Sequence, residues 1–152
     1  MAKPKIIDTT ALYPLVKKMG RQITDIAKEL TILDLTWYEL GNVLVKAAIR
    51  EEIKKLGEVA QVWREILSAM KTEKVREIEE VAQLAKKDRL TYYDAAYIYK
   101  ASKMNLKLIT EDQESRIMHI NKRIMISISI KYSSDFYLKH GGENPAGGRR
   151  QI

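Results

Sequence analysis

Short, continuous apolar runs occur at four places along the chain and predict buried strands. Polar residues or helically spaced residues separate these runs, so each one predicts a single short strand rather than part of a longer apolar helix. The four predicted strands are KIID at 5–8, TILDL at 31–35, LKLIT at 106–110 and RIMISISI at 123–130.

The segments between the first strands place apolar residues at helical spacing. ALYPLVKKMG predicts a short helix that ends at Gly20. A further set recurs at the same spacing: Ile23, Ile26, Ala27 and Leu30. The next helix is predicted to begin at Thr36, because Thr36-x-x-Glu39 matches a capping box, in which a hydroxyl and an acid three residues later satisfy free backbone N–H groups.

The second half of the chain contains further helical patterns. Residues 51–88 predict two helices that turn near Lys71 to Glu73. LTYYDAAYIYKASKM predicts another helix, which begins with a second capping pattern, Thr91-x-x-Asp94. Asn105 follows it, and Asn tolerates the left-handed conformation that often ends a helix. A short helix is also predicted at 113–119.

Strands that alternate with helices predict an α/β fold with a mostly parallel central sheet, because parallel neighbours need crossover connections. The length of 152 residues fits one domain. We assign residues 1–138 to this domain. Residues 139–152 concentrate Gly, Pro and Arg, and we expect them to form a mobile, basic C-terminal tail.

Composition narrows the chemistry that is open to this chain. Hydrophobic residues make up 45% and charged residues 31%, which is typical of a globular protein, and no apolar run approaches a membrane span. No signal peptide is recognisable, so we expect a cytoplasmic protein without membrane contact. Zero cysteines exclude thiol catalysis and zinc-thiolate sites, and two histidines are too few for a His-based metal cluster. Any catalytic site must therefore use carboxylates or other oxygen ligands.

The net charge is +7, from 27 Lys plus Arg against 20 Asp plus Glu. An excess of this sign favours polyanionic partners, because basic side chains attract phosphates and release their counterions. Solubility alone also explains a basic surface, so the charge does not decide between the two interpretations.

Four acids are predicted to meet at one edge of the sheet. Asp8 ends the first strand, and Asp112 lies just past LKLIT. Glu39 and Asp94 fall in the first turns of predicted helices. A helix that follows a strand begins at the carboxyl edge of the sheet, where ligand sites of such folds lie.

Carboxylates in one cleft repel each other by about 4 kcal/mol per pair at 4 Å and an effective dielectric constant near 20. Divalent cations relieve that repulsion, and Mg²⁺ prefers carboxylate and water oxygens and commonly meets phosphate groups as well. A cation-bound water of lowered pKa can attack a phosphodiester. Together with a basic surface, the four acids therefore point to a nuclease.

The chain resembles the PIN-domain ribonucleases in the order and spacing of several motifs. IIDTTALYPL is similar to their opening strand with its Asp, and TWYELGNVLVK to the motif around their second acid. LTYYDAAYIYKASKMNLKLITED is similar to the segment with the third and fourth acids. The resemblance spans residues 5–130 and, in size and layout, is closest to the toxin nucleases of the VapBC toxin–antitoxin class.

This resemblance implies a three-layer fold with a helical hairpin between the second and third acids. It implies an acidic site of Asp8, Glu39, Asp94 and Asp112, supported by the hydroxyls of Thr10 and Thr110, with one or two Mg²⁺ or Mn²⁺ ions. Glu114 stands where some relatives have an extra acid. It further implies an RNA substrate, a cognate antitoxin and assembly as a homodimer, with the helical hairpin and the first helices forming a groove for an antitoxin segment.

Other interpretations stay open at this stage. Glu39 and Asp94 can act as helix caps, Asp8 can form an Asx-turn with Thr9 or Thr10, and Asp112 can be a plain surface acid. The aromatic residues, including Tyr93, Tyr97, Trp37 and Trp63, fit core or interface packing better than base stacking, and His119 fits a structural role. At the level of function, the alternatives are a non-catalytic PIN-like module that binds RNA or protein, and a housekeeping RNA-processing nuclease.

Overall fold

The central sheet of the protein is parallel throughout. The structure is a computed structural model that describes residues 3–111 and the backbone of 125–127. Its strands are β1 (Lys5–Ile7), β2 (Leu30–Leu33), β3 (Lys71–Glu73), β4 (Lys107–Thr110) and β5 (Met125–Ser127). They lie in the order β3-β2-β1-β4-β5, and every neighbouring pair is parallel. The predicted α/β class is confirmed, and β5 falls within the strand predicted at 123–130.

Helices connect these strands. The α-helices of the described residues are α1 (Thr9–Met19), α2 (Leu35–Ile49), α3 (Leu56–Ser68), α4 (Ile78–Asp88) and α5 (Tyr92–Met104). The apolar residues between Ile23 and Leu30 do not form an α-helix. Ile23 and Ala27 belong to two short 3₁₀ helices, Gly20–Asp25 and Ala27–Glu29, Ile26 lies between the two, and Leu30 already begins β2. Apolar residues three apart suit a 3₁₀ helix as well as an α-helix, because it has three residues per turn.

The sheet separates two hydrophobic cores, so the domain has three layers. Successive residues of a strand point to opposite faces. Ile7, Ile32 and Ile109 pack in the core that contains residues of α1, α2 and α3. Ile6, Leu33 and Leu108 pack in the core that contains residues of α4 and α5. The predicted three-layer arrangement, with helices on both faces of a parallel sheet, is confirmed.

The segment between the second and third acids differs from the expected helical hairpin. Both predicted helices are present, as α3 and α4, but they belong to the cores on opposite faces of the sheet. The predicted turn between them contains β3, which extends the sheet beside β2. The sequence KTE has no apolar run because β3 is an edge strand and its side chains stay largely accessible to water. Its hydrogen bonds to β2, rather than apolar burial, make it a strand.

The start of α2 also differs from the prediction. Asp34, not Thr36, is the N-cap, and its Oδ1 accepts hydrogen bonds from the backbone N–H groups of Leu35 and Val75 at 3.1 Å each. Its Oδ2 accepts from the Arg76 side chain at 3.0 Å. Thr36 is fully buried within the helix, which places Glu39 in the second turn rather than the first. The capping-box interpretation of Glu39 is therefore wrong.

The predicted ends of α5 are confirmed. Thr91 caps its N-terminus by accepting a hydrogen bond from the backbone N–H of Asp94 at 3.2 Å. Asn105 adopts the left-handed conformation at its C-terminus. In the part of the chain that the structure describes, no helix is both long and apolar enough to cross a bilayer. The helix predicted at 113–119 and the tail at 139–152 lie outside the described residues.

Candidate active site

Asp8 lies at the carboxyl end of the central strand and is almost completely buried. It directly follows β1, its backbone N–H donates to the Ile109 carbonyl of β4 at 3.0 Å, and its exposed fraction is 5%. Its Oδ1 accepts hydrogen bonds from the Thr10 hydroxyl at 2.7 Å and from the Ala11 backbone N–H at 3.0 Å. Asp8 is therefore the N-cap of α1, because its backbone donor lies three residues on rather than the two residues of an Asx-turn; Thr10 does contact Asp8, but through its side-chain hydroxyl.

The two predicted supporting hydroxyls meet beside Asp8. Thr110 ends β4 on the same edge of the sheet, and its hydroxyl lies 3.2 Å from that of Thr10. The Thr110 side chain also hydrogen-bonds to Asp8. The Glu111 backbone N–H in turn donates to the Thr10 hydroxyl at 3.3 Å. These contacts tie the ends of β1 and β4 together around the Asp8 carboxylate.

Glu39 reaches the same region from α2 and is half-buried. Its Oε1 accepts a hydrogen bond from the Tyr97 hydroxyl at 2.8 Å and from the Thr9 hydroxyl at 3.2 Å. The Thr36 hydroxyl lies 2.7 Å from the Tyr97 hydroxyl. Burial and the neighbouring Glu39 charge raise the pKa of Tyr97 well above its ordinary value, so Tyr97 stays protonated and remains a hydrogen-bond donor.

Asp94 is the third described acid of the site. It lies in the first turn of α5 and is half-buried. Its negative charge raises the pKa of both Asp8 and Glu39, which places the three acids within electrostatic reach of one another. Asp112 and Glu114 lie outside the described residues, so their predicted places in the site stay predictions.

Burial is the largest influence on the pKa values of Asp8 and Glu39, both of which are raised above the ordinary values. It raises the pKa of Asp8, and hydrogen bonds from Thr110, Thr10 and Ala11 only partly oppose the effect. It also raises the pKa of Glu39, against hydrogen bonds from Tyr97 and Thr9. Repulsion among the acids acts in the same direction as burial. The site therefore holds negative charge at an energetic cost that a bound cation would relieve.

The groups that stabilise these two acids differ from those around other acids of the fold. Asp8 and Glu39 accept hydrogen bonds from hydroxyls and a backbone amide. In contrast, Asp34 pairs with Arg76, and Glu77 pairs with Lys100 and Lys103 at 3.0 and 3.1 Å. Hydroxyl donors orient a carboxylate without cancelling its charge. The carboxylates of the site thus keep the negative charge that a divalent cation requires.

The donor set fits a hard divalent ion such as Mg²⁺ or Mn²⁺ because it consists of carboxylate and hydroxyl oxygens. No group of three or more acids or histidines that could hold a metal ion occurs among residues 3–111. Mg²⁺ is usually held by only one or two protein carboxylates, and waters and substrate phosphates complete its coordination. Asp8, Glu39 and Asp94 could therefore supply the protein ligands together with Asp112.

A cleft of about 510 Å³ opens beside the acids, between α1 and α2. Thr9, Thr10 and Glu39 form its polar side. The remaining lining is mostly apolar or aromatic: Tyr13, Pro14, Tyr38, Asn42, Val43 and Tyr93. Tyr38 and Tyr93 have exposed fractions of 81% and 56%, so their rings are accessible to a ligand in this cleft.

The sequence analysis missed the polar role of two residues. Tyr97 was assigned to packing, and at 3% exposure it does pack in the core, but its hydroxyl also bonds to Glu39. Thr9 was considered only as a turn residue, yet it also donates to Glu39. No local motif marks either contact, because the partners lie 58 and 30 residues apart in the sequence. Trp63 is buried as predicted, whereas Tyr93 is exposed and does not pack in the core.

Comparisons with known proteins agree with this architecture. A family model described as PIN domain matches residues 5–120. The chain is 36% identical over 114 residues to Exonuclease VapC9 of Pyrobaculum aerophilum, across 72% of this chain and 80% of that protein. It is 32% identical over 118 residues to Ribonuclease VapC3 of the same organism, across 72% of this chain and 89% of that protein.

Solved structures show the same fold. A crystal structure of a Pyrobaculum aerophilum protein superposes with a TM-score of 0.70 and 32% identity, covering 84% of this chain and 91% of that one. A toxin–antitoxin complex from Klebsiella pneumoniae contains a chain that superposes with a TM-score of 0.56. That chain is 22% identical, and the match covers 81% of this chain and 96% of the other. Because the identity is this low, the match to the Klebsiella pneumoniae chain shows only that the two folds are similar.

We expect Asp8→Asn to stabilise the metal-free protein at pH 7, by about 1 kcal/mol, a gain common for relieved functional sites. The folded state raises the pKa of Asp8 above the unfolded value of 3.8, so it binds the proton more tightly than the unfolded chain does. The stability of the wild-type protein therefore falls as the pH rises from the unfolded to the folded pKa of Asp8. The greater stability of Asp8→Asn should accordingly disappear near pH 4. Asn retains the capping oxygen.

Chemical denaturation in EDTA at pH 4 and pH 7 measures this effect. Asp25→Asn, at an exposed position near the opposite edge of the sheet, is the matched control and should change stability little at either pH. A variant at position 8 that is less stable than wild type at pH 7 would show that the buried charge stabilises the fold.

Proposed function

The chain belongs to the PIN-domain family, and on that premise we propose that it is a metal-dependent endoribonuclease and the toxin of a type II toxin–antitoxin pair. One observation carries the proposal. Asp8 and Glu39 are buried or half-buried carboxylates at the carboxyl edge of the sheet, and burial and the nearby Asp94 raise the pKa of both. The nuclease names of the two Pyrobaculum relatives support hydrolysis of phosphodiester bonds.

We assign the ligands of one or two Mg²⁺ or Mn²⁺ ions to Asp8, Glu39, Asp94 and Asp112. When bound, such an ion supplies an activated water and neutralises charge on the phosphate. The chain's own residues hold the carboxylates in place for this reaction. Thr10, Thr110 and the Ala11 amide fix Asp8, and Thr9 and Tyr97 fix Glu39. Glu114 is a further acid that could act beside Asp112.

RNA is the substrate that the surroundings of the site favour. The net charge of +7 attracts a polyanion, and the cleft beside the acids offers accessible aromatic rings for unstacked bases. A nucleotide whose phosphate lies at Glu39 has its base within the same cleft, because Thr9 and Glu39 line it together with Tyr38. We therefore place single-stranded RNA in this cleft.

A cognate antitoxin is the proposed protein partner, and a homodimer the proposed assembly. The expected hairpin groove is replaced by the cleft between α1 and α2, since α3 and α4 lie on opposite faces of the sheet. The apolar lining of this cleft suits a segment of a partner protein, because an amphipathic helix that binds in a groove places its apolar face against an apolar surface. An antitoxin bound there would cover Glu39 and block RNA.

Two other functions share these features. A non-catalytic module that binds RNA or protein is favoured by the absence of a three-acid metal group among residues 3–111. A housekeeping RNA-processing nuclease would use the same site and differ in its substrate and in lacking an antitoxin. The experiments below separate the three functions.

We expect the protein to cut a circular single-stranded RNA in Mg²⁺ or Mn²⁺, and EDTA to abolish the cut. A circle has no ends, so its cleavage distinguishes an endonuclease from an exonuclease. Asp94→Asn should lower the rate by about 100-fold or more, which corresponds to about 3 kcal/mol of lost transition-state stabilisation. Gel analysis of the circle measures the rate, and Asp25→Asn is the control acid. An inactive, folded wild-type protein in either metal would favour the non-catalytic module.

Tyr38→Ala should weaken RNA binding by about 5- to 150-fold, because stacking of one base on an aromatic ring contributes about 1–3 kcal/mol. Tyr38 is mostly exposed, so its removal should not destabilise the fold. KM and kcat for a short RNA measure the effect, which should fall mainly on KM. Tyr38→Phe retains the ring and is the matched control. Equal KM values for Tyr38→Ala and wild type would place the RNA elsewhere.

The product of a short reading frame adjacent to this gene should co-purify with the protein and inhibit cleavage of the circular RNA. Affinity purification from cells that co-express both frames measures the association. The same purification of Tyr38→Ala tests whether the cleft takes part. A nuclease that is active and associates with no neighbouring product would favour the housekeeping function.

A further inference from the structure

A network of hydroxyl groups lies against Glu39 and connects three helices. The Tyr97 hydroxyl of α5 is 2.8 Å from Glu39 Oε1 and 2.7 Å from the Thr36 hydroxyl, both on α2. The Thr9 hydroxyl of α1 is 3.2 Å from the same Glu39 oxygen. Tyr97 and Thr36 have exposed fractions of 3% and 0%, so water does not compete for these bonds.

The directions of these hydrogen bonds follow from the number of protons available. An ionised carboxylate can only accept hydrogen bonds, so the Tyr97 hydroxyl must donate its single proton to Glu39. The Tyr97 oxygen can then only accept from Thr36, which makes Thr36 the donor to Tyr97. Thr9 likewise donates to Glu39. The protons of Tyr97 and Thr9 therefore both point to Glu39 Oε1, and the proton of Thr36 points to the Tyr97 oxygen.

The two carboxylate oxygens of Glu39 have different surroundings. Within the described part of the chain, both hydrogen bonds to Glu39 fall on Oε1. The second oxygen, Oε2, is thus the one left to meet a cation. Glutamate has a longer and more flexible side chain than an aspartate, so it loses more rotamer freedom when it is held in one position. A buried donor that holds it beforehand reduces this loss on metal binding.

We propose that Tyr97 is a positioning residue, which holds Glu39 Oε1 so that Oε2 is presented to the divalent cation, with Thr36 fixing the direction of the Tyr97 hydroxyl. The inference rests on the proposed function, because it assumes that Glu39 is a metal ligand. Neither the sequence around Tyr97 nor the acidic motif identifies this residue as functional. Partners of metal ligands commonly change metal affinity by 10- to 100-fold when they are removed.

The test is isothermal titration calorimetry with Mn²⁺ alone on the full-length protein. Tyr97→Phe removes the hydroxyl and keeps the ring in the core, and we expect it to weaken Mn²⁺ binding by about 10- to 100-fold. Tyr99→Phe is the matched control, because Tyr99 lies on the same helix and its hydroxyl contacts Lys103 instead of an acid. It should bind Mn²⁺ as wild type does.

Measurements in the Glu39→Gln variant distinguish a positioning role of Tyr97 from a role in packing alone. In Glu39→Gln the ligand charge is already lost, and adding Tyr97→Phe should then change Mn²⁺ affinity by less than about twofold. In RNA cleavage, Tyr97→Phe should lower kcat while KM for RNA stays close to wild type, because the RNA-binding cleft does not include Tyr97.

Tyr97→Phe leaves the buried Thr36 hydroxyl without its acceptor and could unfold the protein. The double variant Tyr97→Phe with Thr36→Val removes that unsatisfied group, and we expect the same loss of Mn²⁺ affinity from it. Circular dichroism and thermal unfolding establish that each variant is folded. The measurement therefore does not depend on the single variant.

The outcomes distinguish this inference from the proposed function. Wild-type protein that binds Mn²⁺ but cuts no RNA would overturn the nuclease function, while the effect of Tyr97→Phe on Mn²⁺ binding still supports the positioning role. A folded Tyr97→Phe or double variant that binds Mn²⁺ with wild-type affinity would overturn the positioning role. Wild-type protein that binds no Mn²⁺ would overturn both.

Discussion

The burial of Asp8 at the end of the central strand is the constraint on which the rest of the site depends. A charged group with 5% exposure has lost most of its hydration, and such a group persists in a fold only where other groups replace the lost water. Here the Thr10 hydroxyl and the Ala11 amide do so, and in the same bonds they begin α1. The Asp8 carboxylate is therefore the cap of α1 and, in the proposed function, also a ligand of the cation. Because β4 lies beside β1, the same edge also brings Thr110 to Asp8.

Around this group the fold uses hydroxyls where it elsewhere uses basic side chains. Arg and Lys neutralise Asp34 and Glu77, and those contacts hold the connection between β3 and α4 against α2 and α5. Thr, Tyr and backbone donors orient Asp8 and Glu39 and leave their charge in place. The pKa values of both acids are raised as a result of burial and mutual repulsion. Selection for stability alone would replace these buried carboxylates, since functional sites commonly reduce the stability of a protein. The raised pKa values of Asp8 and Glu39 thus support the proposed cation site.

Local patterns predicted the parts of the fold whose signals are local. The apolar runs around Ile6, Ile32 and Leu108 marked the strands at the centre of the sheet, because both faces of these strands are covered by helices. Thr91 and Asn105 marked the ends of α5 through backbone rules that operate within one turn. The edge strand β3 was missed because an edge strand needs neither burial nor an apolar sequence. The start of α2 was placed two residues late because Asp34 and Thr36 both satisfy the chemistry of a cap, and only the contacts of Asp34 with Val75 and Arg76 decide between them.

The sequence by itself determined the class of the fold and that the described acids Asp8, Glu39 and Asp94 lie near the carboxyl edge of its sheet, since strand order along the chain and the position of an acid at or after a strand end are properties of consecutive residues. Only the tertiary structure decided how those acids are held. Thr36 and Tyr97 are 61 residues apart, and Tyr97 and Glu39 are 58 apart. No periodicity records which faces of α2 and α5 meet, because that depends on how both helices pack against their strands and on the length of every connection between them. The proposed roles of Tyr97 and of the aromatic cleft depend on this packing.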